Sequence, residues 1–477
     1  MRFHFFIYCL LLTVYCSSCS SNNSGSAGKN GIDSLKIAAP SFDTSLEKGK
    51  VIPEIKCIKE SSLSYALYLP KNYSSDKKFP VIYFFDSHGS GSLPLEKYKD
   101  LAEKYGYILA GSNNSKNGMS WEQNHPQIQT FMSDVKERLN IDSRRIYTCG
   151  FSGGSRVASS VAIFDGGVSC AIGMGAGFPS LSEPIHNKFD YIGFAGNEDF
   201  NMNEMIALTS SMDKTPIRHQ LIIFNGKHEW VPAEIAEDAF VWIELNAMKD
   251  GLTSKNDSLI KHITVKSESE LKNLEQKKRK YEEVLLCKQM SNFLDGLANV
   301  SEFQKKAELL SASEDLKKEM IQKDMLAKQE LSQQENYRNY FVMKDLSWWM
   351  NEIKKLNQFS KNKSDEEKSV MYKRLLNYLS LLAYMNASSA LQSNQLDITE
   401  KSLKIYEQVD PENSEHQYLF ADFYARKKNN AKAISSLENA VKLGFDDVAR
   451  MESDASLSVL KNDPEYRHLV EKLKGKN

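Results

Sequence analysis

Residues 145–156 read Arg-Ile-Tyr-Thr-Cys-Gly-Phe-Ser-Gly-Gly-Ser-Arg, and the order of residue types in this stretch decides the fold. The run 145–150, rich in aromatic and β-branched residues, suits a buried strand, while 154–164 carries the period of an amphipathic helix. Between them Gly150-Phe-Ser-Gly-Gly154 satisfies G-x-S-x-G. A tight strand-to-helix turn of this kind holds the serine hydroxyl above a sheet. Only small residues two positions either side of Ser152 let the two backbones approach so closely. Ser152 is therefore the candidate nucleophile.

A serine hydroxyl attacks poorly until a base takes its proton. Of the nine histidines, His228 lies in Asn225-Gly-Lys-His-Glu-Trp230, just past the last predicted strand and at the same end of the sheet as the elbow. The imidazole needs a carboxylate to orient it and balance its charge. Ala195-Gly-Asn-Glu-Asp199 supplies two, Glu198 and Asp199, at the end of a strand between Ser152 and His228. Asp199 is preferred, because the turn has opened by that residue. The negative oxygen of a tetrahedral intermediate needs preorganised donors. Gly153 offers one N–H at the positive end of the helix that begins there. Ser87-His-Gly-Ser-Gly91 follows an early strand, and the second N–H is expected from Gly89 or Ser90. His88 precedes the elbow and is read as loop architecture. Trp121 follows a polar, asparagine-rich loop, residues 113–120, and has two readings: it lines the acyl or sugar pocket, or it packs on the helix after it.

Working outward, residues 61–250 alternate short apolar runs with helical stretches, the pattern of a mostly parallel sheet covered by helices on both faces. Strands are expected at 64–69, 81–86, 107–111, 145–150, 170–174, 191–195 and 219–224. Helices are expected at 96–105, 127–139, 154–164 and 233–248. With His88-Gly89 after an early strand, Gly-Phe-Ser-Gly-Gly at the elbow, Asp199 after the sixth strand and Gly226-Lys-His-Glu-Trp230 around the base, residues 60–250 resemble a branch of the α/β-hydrolases. That branch holds esterases and polyhydroxybutyrate depolymerases, including feruloyl and acetylxylan esterases. The resemblance implies a Ser152, Asp199, His228 triad and cleavage of a carboxylic ester, such as a glycan ester, through an acyl-enzyme without a cofactor. The chain departs from that branch at Gly153, where a polar residue is common, and in its long helical second half. Two other functions stand beside the esterase: a hydrolase fold without turnover that binds a partner, and a serine peptidase.

Lys and Arg number 61 against 62 Asp and Glu in 477 residues. So balanced a charge gives no reason to invoke nucleic acid. No metal-ligand spacing stands out. Arg2 and the apolar run 5–15, ahead of Cys16-Ser-Ser-Cys19, are too short to span a bilayer and read as a signal peptide, residues 1–18. The small residues before Cys19 resemble a bacterial lipoprotein signal, with Cys16 as the competitor. The chain is then expected at the cell envelope, on the outer membrane facing the periplasm or the surface, held by lipid alone through a tether at 19–50. Four of the seven cysteines remain beyond the leader, and Cys149 with Cys170 reads either as a bridge or as two buried thiols.

After the hydrolase domain, 51–250, the composition turns to Lys, Glu, Gln and Leu. Residues 251–375 are read as a helical connector, in which Trp348, Trp349 and Met350 form a buried spot rather than a site. In 376–477, Ala387 recurs as Ala421 and Leu403 as Leu437, 34 positions on. Ala433 and Ala440 sit where two packed helices come closest. These features resemble two degenerate tetratricopeptide repeats, which would offer a protein partner a stacked helical surface.

Overall fold

The computed structural model describes residues 42–181 and 184–475. The signal peptide, Cys19 and the first part of the tether lie outside the described residues.

Eight strands form one sheet: β1 (Val51–Lys56), β2 (Ser64–Tyr68), β3 (Phe79–Phe85), β4 (Ile108–Ser112), β5 (Ile141–Phe151), β6 (Cys170–Met174), β7 (Asp190–Gly196) and β8 (His219–Phe224). Their spatial order is β1-β2-β4-β3-β5-β6-β7-β8. β1 and β2 run antiparallel to their neighbours, and every pair from β4 through β8 is parallel. This is an α/β-hydrolase fold. β3, β6 and β7 are buried along their whole length, as continuous apolar strands covered on both faces must be. One apolar core fills each face.

The covering helices are α1 (Ser92–Tyr105), α2 (Trp121–Arg138), α3 (Gly153–Ser160), α4 (Met202–Met212) and α5 (Ala233–Lys249). Helix α2 starts six residues earlier than expected because Ser120 and Gln123 close a reciprocal capping box. All seven expected strands form. β1 is additional: Pro53 and a register shift between Ile52 and Ile55 obscure any alternation, as an edge strand tolerates. α4 is additional too; it buries Met205, Thr209 and Met212 on one side, a stripe too narrow to stand out in the sequence. The register sets Cys170 beside Tyr147 and Cys149 beside Ile172. Both cysteines are free, and burial pushes both thiols well above their ordinary range, so of the two readings the buried thiols hold.

From Asp257 onward the described chain is helical: α6 (Asp257–Gln276), α7 (Lys280–Leu294), α8 (Ser301–Ser311), α9 (Glu314–Met343), α10 (Leu346–Phe359), α11 (Glu366–Gln392), α12 (Leu396–Val409), α13 (Ser414–Arg426), α14 (Asn430–Lys442), α15 (Val448–Ser453) and α16 (Pro464–Lys474). The first three do not form a separate layer. Ile260, Ile263, Cys287, Phe293 and Phe303 join one of the sheet's two cores, where Trp242 of α5 meets Phe293 with ring centroids 5.1 Å apart. A third core begins in α9 and runs to α16 around the fully buried Trp349. Ala387, Ala421, Leu403, Leu437, Ala433 and Ala440 are all fully buried in it. None of the described helices is long and apolar enough to cross a membrane.

Candidate active site

The elbow is built as its sequence demands. β5 ends at Phe151, α3 begins at Gly153, and Ser152 between them is held at φ 54° and ψ −120°, a conformation costly for any residue with a Cβ. Gly154 makes the turn feasible: a Cβ there would sit 1.9 Å from the carbonyl oxygen of Phe85 on β3. The strain is fixed from outside, since Ser152 N–H donates to Met174 O on β6 at 2.8 Å.

Three loops at one end of the sheet then bring the expected residues together. His228 Nε2 lies 2.9 Å from Ser152 Oγ, and its Nδ1 lies 3.0 Å from both carboxylate oxygens of Asp199. Because an ionised carboxylate only accepts, Nδ1 carries the proton in the neutral ring and Nε2 presents a lone pair to the serine hydroxyl. Asp199 is 1 % exposed. Its Oδ1 also accepts from Asn201 N–H at 2.8 Å, and Asn201 Nδ2 donates to Gly175 O, which locks the loop against β6. Gly175 has φ +69°, and a Cβ on it would lie 3.2 Å from both Asp199 Oδ2 and His228 Cε1. Phe151 and Phe200 both pack against the imidazole, at centroid distances of 4.7 and 4.3 Å. Glu198 turns the other way, to Lys373 Nζ at 2.7 Å, so Asp199 and not its neighbour faces the ring.

The donor loop differs from expectation. β3 ends at Phe85, and the buried Asp86 gathers the following amides: His88 N–H and Ser90 N–H reach Asp86 Oδ1 at 2.8 and 3.3 Å, and Gly89 N–H reaches Asp86 O at 3.2 Å. The N–H groups of Gly89 and Ser90, the expected second oxyanion donors, are thus engaged within the turn. Trp230 Nε1 donates to the other carboxylate oxygen of Asp86 at 3.0 Å, which fixes the carboxylate in place. His88 is mostly exposed, as loop architecture should be. Asn117 stands where no residue was singled out. Its N–H donates to Ser87 O at 2.8 Å, and its Oδ1 lies 1.8 Å from where a Cβ of Gly153 would be. That contact explains glycine at 153: a side chain there would displace the carboxamide. Trp121 follows the same asparagine-rich loop. That ring stacks on His125 at 4.7 Å and meets Phe164 at 5.6 Å, the contacts of its packing alternative.

No family model and no curated protein matches the chain. Among solved structures it is similar to the S-formylglutathione hydrolase FrmB of Staphylococcus aureus, at 11 % identity over 41 % of this chain and 97 % of that one, with a TM-score of 0.34. It is also similar to a mutant feruloyl esterase module of Clostridium thermocellum complexed with sinapinate, at 15 % identity over 42 % and 91 %, with a TM-score of 0.35. A third is a thermophilic esterase of Thermogutta terrifontis, at 14 % identity over 43 % and 93 %, with a TM-score of 0.33. Among the described residues, no group of His, Cys, Asp and Glu is arranged to hold a metal ion.

Proposed function

We propose that this protein is a serine hydrolase that cleaves carboxylic esters through an acyl-enzyme. The observation that carries the reading is the unbroken chain Ser152 Oγ, His228 Nε2, His228 Nδ1, Asp199, with every link near 3 Å. In this mechanism Ser152 Oγ attacks the ester carbonyl as its proton passes to Nε2. Asp199 steadies the imidazolium, and the same proton then goes to the departing alcohol. Water repeats the sequence on the acyl-enzyme and frees the acid. Gly153 N–H, at the start of α3 where amides lack intrahelical partners, stabilises the oxyanion.

Mixing the enzyme with p-nitrophenyl acetate in stopped flow tests the acyl-enzyme. A burst of nitrophenol equal to the active-site concentration, followed by a slower steady state, is expected. A linear trace at the rate of free imidazole would overturn the reading.

Around this centre we read residues 51–250 as the catalytic unit, 251–375 as a connector and 376–477 as tetratricopeptide-like helices open to a protein partner. Residues 1–18 are read as a lipoprotein signal and Cys19 as the acylated residue, which places the enzyme at the bacterial envelope. Cys19→Ser should move the protein from the membrane pellet to the soluble fraction and abolish labelling by an alkyne palmitate. Retention of both would assign the anchor elsewhere, Cys16 first.

A further inference from the structure

The loop that carries Asp199 is held from two sides. Its amides face the sheet: Asn197 N–H donates to Phe224 O at 2.7 Å and Glu198 N–H to Gly226 O at 2.9 Å. Its carbonyls are taken by side chains of two helices more than a hundred residues downstream. Arg374 Nη1 donates to Asn197 O at 2.9 Å, Asn377 Nδ2 to Glu198 O at 2.8 Å and Gln334 Nε2 to Phe200 O at 3.3 Å. The carbonyls on both sides of Asp199 are thus occupied.

The guanidinium is itself fixed. Glu330 of α9 is fully buried and receives Arg374 Nε on both oxygens, at 3.0 and 2.9 Å, and Nη2 on one at 2.7 Å. Asn203 Nδ2, at the start of α4, donates to the same carboxylate at 3.0 Å. Tyr378 completes the contact. Its ring lies 6.2 Å from Phe200, whose other neighbour is His228. Buried charges are retained where both partners are in place, and a planar fork fits a carboxylate and a carbonyl at once in a way that an ammonium cannot.

We propose that Arg374, seated on Glu330, and Asn377 are positioning residues of the hydrolytic site. They hold the Asn197–Phe200 backbone so that Asp199 meets His228 and Phe200 covers its ring. α11 then serves two ends. Its first half grips the acid loop, while Ala383, Ala387 and Leu391 in its second half are buried in the core shared with α12. The proposal rests on the catalytic reading of Ser152, Asp199 and His228.

The test uses the full chain and three variants: Asn377→Leu, Arg374→Lys, and Glu330→Met with Arg374→Met, which removes both buried charges together. Two quantities are read: hydrogen exchange of residues 197–203 beside that of β5 and β6, and kcat and KM on an aryl ester. The proposal expects faster exchange in the loop and unchanged protection in the two strands. It also expects kcat lower by about 10- to 100-fold with KM within about twofold in Asn377→Leu and the double variant, and a smaller loss in Arg374→Lys. Unchanged loop exchange in both Asn377→Leu and the double variant overturns it. So does a fall in kcat that appears only together with loss of protection in β5 and β6, since that reports unfolding. If the double variant fails to fold, Asn377→Leu decides alone. A wild type without turnover would sink the catalytic reading instead, and loop exchange would still decide whether α9 and α11 hold the loop.

Discussion

Ser152→Ala is expected to lower kcat for aryl-ester hydrolysis by on the order of a millionfold while leaving the fold intact. The hydroxyl is the one atom placed to bond the acyl carbon, and no other hydroxyl contacts His228 Nε2 among the described residues. What remains should be the modest acceleration of a binding surface with oxyanion donors. Stability should stay within about 0.5 kcal/mol, because the strained backbone at 152 is as costly for alanine as for serine and Met174 O still holds the amide. Steady-state hydrolysis beside a thermal melt separates the two effects. A variant that retains a tenth of the wild-type rate would remove Ser152 from the reaction.

Asp199→Asn is expected to cost about 10⁴-fold in kcat, with KM little changed. The reason lies in which oxygen is already committed. Oδ1 accepts from Asn201 N–H, so an asparagine would keep its carbonyl there, and its NH₂ would replace Oδ2, the other oxygen 3.0 Å from His228 Nδ1. An NH₂ cannot accept from Nδ1–H. The ring would then carry its proton on Nε2, facing the serine hydroxyl with a donor where a lone pair is needed. The substitution keeps the shape of a residue that is 1 % exposed and removes a buried charge, so the loss would be chemical rather than structural. A pH–rate profile that stays low across the whole range, with an unchanged melting temperature, would match this account. Near-normal turnover would mean that another group orients the imidazole.

How much of this was legible in the sequence depends on the range of the interactions. The elbow was readable because strand, serine, small residues and helix lie within a dozen positions, and each has one local reason to be there. Asp199 and His228 were readable because parallel strands deliver their following loops to one end of a sheet. The choice of Asp199 over Glu198 rested on turn geometry, and the ion pair from Glu198 to Lys373 gives it a physical reason that no local pattern carried. The donor loop shows the same limit. Gly89 and Ser90 look free in the sequence, yet Gly89 N–H bonds the Asp86 carbonyl and Ser90 N–H one oxygen of the Asp86 carboxylate, whose other oxygen accepts from Trp230 on a loop far along the chain. In the helical half, the Ala387/Ala421 and Leu403/Leu437 pairs, each 34 positions apart, are buried. The contact of Arg374 with Glu330 and Asn197 joins three elements distant in sequence and left no periodic trace.

A fluorophosphonate probe tests the central claim most directly, because it reacts with a serine only where a base has made the hydroxyl nucleophilic. Intact-mass and peptide mapping of the labelled protein should find one adduct, on the peptide that contains Ser152, and His228→Ala should abolish it. An adduct elsewhere with Ser152 unmodified, or equal labelling of both proteins, would contradict the assignment of Ser152, His228 and Asp199 as one reacting unit.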